Sequence, residues 1–215
     1  MMTTYLRRAF VAAGAMMLSA SFAMAQQTRV AVDPRTVPEL KAEFDRALKL
    51  GLPVAPLDGK AREGYLKQAS PKTIRDAVRD FADRMVKARD ALKPNRGNAE
   101  IEAGAIALQY DIPAGVLRSL RQVEQRRSLA VPIGALTELY TRGVPLQKAA
   151  AQVESMLKLN VSDTQISALA SLVQSDVAQG VAPTTALDLR SKGVLSAPQA
   201  PVAGVAAPAV RPPPR

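Results

Sequence analysis

Thr141-Arg142-Gly143-Val144-Pro145-Leu146-Gln147-Lys148-Ala149 joins the end of one helical pattern to the start of another. Its kernel is a turn-prone residue, an aliphatic, then Pro or Ser, with an aliphatic or Ala four positions further on. Gly, Asn or Asp accepts the left-handed backbone that ends a helix. Ser caps the free amides of the next helix, and Pro is tolerated there because its missing amide had no partner. The aliphatic between them can drop into the core and pin the junction, as a hydrophobic staple does.

The same kernel recurs along the chain. It reads Gly51-Leu52-Pro53 with Leu57, Gln68-Ala69-Ser70 with Ile74, and Asp111-Ile112-Pro113 with Leu117. It returns as Ala130-Val131-Pro132 with Leu136, Asn160-Val161-Ser162 with Ile166, and Gly180-Val181-Ala182 with Ala186. Thr36-Val37-Pro38 with Ala42 is a degenerate first copy. Most copies lie 13 to 20 residues apart, leaving room for helices of ordinary globular length. Asn160-Val161-Ser162 also fits a glycosylation sequon, but the turn explains it better.

Between the turns the apolar residues recur every three or four positions. From Ser70 to Lys93 they are Ile74, Ala77, Val78, Phe81, Met85, Ala88 and Leu92, with charges on the opposite face. Asp80–Arg84 and Asp83–Lys87 stand four apart in the favourable acid-first order. Leu40, Phe44, Ala47 and Leu48 form a similar stripe, as do Ala149, Val153, Met156 and Leu157. Ile166, Leu169, Ala170, Val173 and Val177 form another. No stretch alternates as a strand does. The expectation is an all-α array or bundle of short helical hairpins over 37–195, with a sub-boundary at 94–98 where Lys93-Pro94-Asn95-Arg96-Gly97 breaks a helix.

The two ends read differently. Arg7 and Arg8 precede an uncharged stretch from Ala9 to Thr28, which closes on Ala23-Met24-Ala25. This is the pattern of a signal peptide over 1–25, cleaved between Ala25 and Gln26, with 26–36 as a linker. The expected location is therefore periplasmic or secreted. Residues 196–215 hold six of the sixteen prolines and no acid, the composition of an extended, partly polyproline-II tail. It ends in Arg211-Pro212-Pro213-Pro214-Arg215, which resembles the ligands of aromatic grooves.

Composition narrows the chemistry. Among 215 residues there is no Cys, His or Trp, so thiol, imidazole and the usual zinc or haem ligation are excluded. Calcium-loop, phosphate-loop and Gly-x-Ser-x-Gly patterns do not occur. No catalytic residue, metal ligand or cofactor site is expected. The carboxylates Asp33, Glu39, Glu43 and Asp45 are interleaved with cations as on a solvated face, and Glu100 and Glu102 read as helix-start surface charges. The net charge of +10 falls to +8 when Arg7 and Arg8 leave with the signal peptide. Of that, +5 lies in residues 26–100 and the rest beyond Ser191, while 101–190 is neutral. With few aromatics and an export signal, nucleic-acid binding is not expected.

One cluster of cations stands out. Arg118, Arg121, Arg126 and Arg127 crowd a segment relieved only by Glu124. On a single helix over Pro113–Ser128 they would complement its C-terminal dipole or offer an anion-binding patch.

The run Lys60-Ala61-Arg62-Glu63-Gly64-Tyr65-Leu66-Lys67 before Ser70-Pro71, with Thr141-Arg142-Gly143-Val144-Pro145 and Lys148-Ala149-Ala150, resembles a group of uncharacterised exported bacterial proteins built from helical hairpins. The resemblance covers residues 45–190 and implies a fold and an address, without an activity. The expected function is that of a non-enzymatic interaction or structural protein of the periplasm or cell envelope. The alternatives are a binder of anionic envelope material, either lipid headgroups or acidic polysaccharide, through the arginines and the basic tail, and a carboxylate-dependent hydrolase. The first of these expectations to check is processing. The exported protein should begin at Gln26 by intact mass, and Ala25→Arg should leave the full-length precursor; a product of unchanged full length in the wild type would refute the signal assignment.

Overall fold

The structure is a computed structural model that describes residues 37–94 and 97–196. The expected signal peptide, its cleavage site, the linker and the proline-rich tail beyond Ser196 lie outside the described residues. Within them the chain is all-helical, with no strand. The helices are α1 (Pro38–Lys49), α2 (Ala55–Leu66), α3 (Pro71–Ala91), α4 (Asn98–Gln109), α5 (Ala114–Val123), α6 (Ala130–Thr141), α7 (Leu146–Lys158), α8 (Asp163–Ala178) and α9 (Pro183–Ser196).

Six copies of the recurrent kernel are one backbone motif. Gly51, Gln68, Asp111, Gly143, Asn160 and Gly180 all have positive φ, between 52° and 93°. In each copy the next residue donates its N–H five positions back, as Leu52 does to the Ala47 carbonyl and Val144 to that of Leu139. The left-handed residue itself donates three positions back, as Gly51 does to Leu48 and Gly143 to Tyr140. This pair of bonds is the Schellman termination, which satisfies carbonyls the helix end leaves open. The aliphatic that follows is driven inward: Leu52, Ile112, Val144 and Val161 are buried. Two or three residues later the next helix begins. Ser70 accepts from the Thr73 N–H, and Ser162 forms a full capping box with Gln165.

The seventh copy is different, and corrects the sequence reading. Ala130-Val131-Pro132 is the first turn of α6, and Val131 is exposed. Ala pays the Cβ penalty for left-handed backbone that Gly avoids, so the kernel without a turn-prone first residue starts a helix here. Pro132 sits in that first turn, where an N–H has no intrahelical partner. Leu48 is a second correction: its expected place is on the α1 stripe, but it faces solvent while Leu40, Phe44 and Ala47 are buried.

The helices pack in two rows. Odd-numbered helices follow one another as α1, α3, α5 and α7, and even-numbered ones as α4, α6 and α8, so that within each row a helix rests on the next but one. The pairs α3–α4, α6–α7 and α8–α9 tie the rows together, and α2 lies on α3. The principal contacts of α1 are with α3 and those of α9 with α8, which describes an open array. The helix break at 94–98 separates α3 and α4, which pack on each other more extensively than any other pair.

As the long central helix, α3 is covered from several sides. Its buried face therefore includes Ala82 and Ala91 besides Ile74, Val78, Phe81, Met85 and Ala88, a wider band than the narrow stripe predicts. Some of its charges pair within the helix, as Lys72 and Arg79 do with Asp76, and others serve neighbours. Asp83 accepts from Arg46 of α1 at 2.6 Å instead of pairing with Lys87, and Arg89 donates to the Leu50 carbonyl at the end of α1. No helix among the described residues is long and apolar enough to cross a membrane.

Two glycines test this packing in opposite directions. A Cβ on Gly104 would stand 2.8 Å from Ala88 Cβ and 2.9 Å from Leu92 Cδ1, whereas one on Gly134 would meet open space. Gly104→Ala should therefore destabilise by about 1–3 kcal/mol through overpacking. Gly134→Ala should stabilise by about 0.5–1 kcal/mol through helix propensity. Urea unfolding of both variants reads the signs, and shifts in the same direction would contradict the α3–α4 approach.

Candidate functional site

The arginine cluster is dispersed by the fold. Helix α5 stops at Val123 because Glu124 takes an extended backbone, φ −126° and ψ 108°, so the single helix over 113–128 does not form. The Glu124 carboxylate instead accepts the backbone N–H groups of Arg126 at 2.6 Å and Arg127 at 3.2 Å. A side chain that satisfies local amides competes with helix continuation. Those amides, the Arg126 N–H first, hold the Glu124 carboxyl below its usual range.

Arg121 is buried, and its guanidinium pairs with Glu100, which has no exposed surface. The same guanidinium donates from Nη1 to the Glu124 carbonyl at 2.7 Å and to the Arg127 carbonyl at 3.2 Å. The α5–α6 connection thus folds around Arg121. Arg127 reaches the other way, donating to the Val161 carbonyl at 2.8 Å and facing Asp163 at 3.5 Å. It ties that connection to the turn between α7 and α8. Arg118 and Arg126 alone of the four are exposed, and the structure does not bring the four into one open patch.

Glu100 departs furthest from the sequence reading. It does lie in the first turn of α4, as expected of a helix-start carboxylate, but it is buried rather than on the surface. A signal for this was present: Arg121 follows Leu117 and Leu120 at helical spacing, and Glu100 precedes Ile101 and Gly104 on a buried face. Each charge interrupts an apolar stripe, and such charges are rarely buried without a partner.

A concave feature of the described residues lies elsewhere. A groove of about 490 Å³ runs between α2 and α4, with buried Phe81 of α3 between them. Ala55, Pro56 and Gly59 line the α2 wall, and Ile106, Gln109 and Tyr110 line the α4 wall. Tyr110 is 47% exposed and Ile106 38%. A Cβ on Gly59 would meet nothing within 4 Å, so the α2 wall leaves free space.

Two carboxylates border this groove and differ in their partners. Glu63 accepts from Lys67 at 2.5 Å and Lys60 at 2.9 Å, and these lysines lower its carboxyl to about 2. Glu102 is half-buried and has no cation partner among the described residues. On α4, residues 102, 106, 109 and 110 share one helical face, which places the carboxylate, the aliphatic and the phenol in line. The sequence reading missed this groove, because its two walls come from helices α2 (Ala55–Leu66) and α4 (Asn98–Gln109), far apart in order of chain, with α3 between them. Among the described residues no group of three or more potential metal-binding side chains occurs together.

No protein family, no curated protein and no solved structure matches the chain.

The buried pair yields the sharpest test of this region. Removing one partner of a buried ion pair leaves the other charge unpaired, so Arg121→Met should destabilise by about 3–5 kcal/mol. Adding Glu100→Leu removes the stranded carboxylate and should recover most of that loss. Denaturant unfolding of the single and double variants measures both, and a double variant no more stable than the single one would show that the pair is not the source of the loss.

Proposed function

We propose that this is an exported, non-enzymatic interaction protein of the bacterial periplasm or cell envelope, akin to the helical-hairpin proteins its sequence resembles. The export half of the reading rests on the Arg7-Arg8 start, the uncharged stretch and Ala23-Met24-Ala25. The interaction half rests on one observation, the α2–α4 groove. It is open, bordered by an exposed aromatic and an exposed aliphatic, and floored by a residue of the rigid central helix. An extended segment suits such a groove, because apolar contact supplies affinity and flanking charges supply orientation.

Other charged features support the same reading by having structural duties. Arg121 and Glu100 hold the α5–α6 connection, and Arg127 joins it to the α7–α8 turn. Arg190 donates to both oxygens of Asp176 at 2.6 and 2.7 Å, holding its carboxyl below the usual range and tying α9 to α8. Binding of anionic envelope material, the second reading, would draw on the exposed Arg118 and Arg126.

A photo-reactive p-benzoylphenylalanine in place of Tyr110 separates the readings in intact cells of the native host. The interaction reading expects a reproducible cross-linked envelope protein that disappears when Gly59→Phe fills the groove. No Gly59-sensitive product would refute it. Co-sedimentation with anionic vesicles, salt-sensitive and abolished by Arg118→Glu with Arg126→Glu, would favour the second reading instead.

A further inference from the structure

We infer that the α2–α4 groove is a docking site for an arginine-flanked polyproline segment, and that its occupant is the chain's own Arg211-Pro212-Pro213-Pro214-Arg215. This rests on the reading of the groove as a binding site and names what it binds. The first argument is chemical. Proline rings pack well on exposed aromatic and aliphatic surface, and the groove offers Tyr110, Ile106 and Pro56. A polyproline segment arrives already extended, with little conformational entropy left to lose.

The second argument is electrostatic. Glu102 is a half-buried carboxylate without a cation partner among the described residues, whereas Glu63 across the groove already has Lys60 and Lys67. A half-buried charge gains most from an incoming guanidinium, which can bind a carboxylate in bidentate fashion. Residues 196–215 carry Arg211 and Arg215 and no acid.

The third argument is dimensional. At about 3.1 Å per residue, Arg211 and Arg215 of a polyproline-II helix stand about 12 Å apart. Along α4 the rise from Glu102 to Tyr110 is also about 12 Å at 1.5 Å per residue. One arginine can therefore meet Glu102 while the other lies over the Tyr110 ring, at the helix end where the dipole favours a cation. The prolines between them then run past Ile106.

Connection and concentration complete the case. Helix α9 ends at Ser196, and the intervening residues 197–210 can span about 43 Å when extended. A tethered ligand experiences an effective concentration of about millimolar, which favours it over a free segment of similar chemistry.

The test uses the full chain, purified, with p-benzoylphenylalanine at position 110. Irradiation followed by peptide mass spectrometry should place cross-links on residues 210–215, with a yield independent of dilution. Glu102→Arg should lower that yield about tenfold, the scale expected when one partner of a partly desolvated charge pair is reversed. Gly59→Phe should lower it similarly, and so should Arg211→Glu with Arg215→Glu, which leaves the helical domain untouched. Combining Glu102→Arg with the two tail reversals should restore it. Circular dichroism of each variant shows that the helices persist. Cross-links without enrichment at 210–215, or a yield indifferent to these changes, would overturn the inference. A yield that falls on dilution would overturn the intrachain assignment. An envelope partner that is sensitive to Gly59→Phe, with no tail product, would leave the interaction reading standing and remove this one.

Discussion

A residue held in left-handed backbone, followed at once by a buried aliphatic, is the constraint from which the domain is built. It acts six times, at Gly51, Gln68, Asp111, Gly143, Asn160 and Gly180. Each instance closes the carbonyls of one helix, drops a side chain inward, and delivers the chain to the start of the next helix within two or three residues. Short connections redirect the chain at each helix end, and α2–α3, α6–α7 and α8–α9 pack directly across them. With helices of 10 to 21 residues, the repeated redirection produces two rows, within each of which a helix rests on the next but one. Four of the six turn aliphatics are fully buried, so the turns belong to the core and are not appended to it.

Charge plays a second, more local part. The domain places one ion pair where water cannot reach it, Glu100 with Arg121, and surrounds the guanidinium with carbonyls of the α5–α6 connection. A buried pair of this kind is weak as a source of net stability but strong as a specifier, since any arrangement that separates the partners strands a charge. Arg127 extends the specification from this connection to the α7–α8 turn. The α5–α6 connection is thus held by side chains rather than by a Schellman turn, and like the α3–α4 connection it lacks the recurrent kernel.

The groove between α2 and α4 follows from the same economy of residues. Gly59 faces it with no side chain, and Phe81 reaches up from α3 to close its base. Glu63 is neutralised by two lysines of its own helix region, while Glu102 is not. The result is a groove of mixed polar and apolar lining, with one carboxylate that no cation meets among the described residues and an exposed phenol. The tail of the same chain carries Arg211 and Arg215 and no acid.

Helix class, helix ends and most core positions were legible in the sequence, because they depend on neighbours within about one turn of the chain. Gly143-Val144-Pro145 announces its turn through the backbone freedom of glycine, and Ile74, Val78, Phe81 and Met85 announce their burial through spacing. The misreadings have the same physical origin. Ala130 matched the kernel in pattern but lacks the left-handed tolerance that makes it a turn, and Leu48 matched a stripe at a helix end that nothing covers. Glu100 and Arg121 each looked like a surface charge, since neither reveals its partner from 21 residues away. By itself the sequence determined an all-helical chain and where its helices stop, through local backbone and capping preferences. Only the tertiary structure decided which charges are buried, which arginines remain open, and that α2 and α4 enclose a groove, because those outcomes depend on which helices the rows bring side by side.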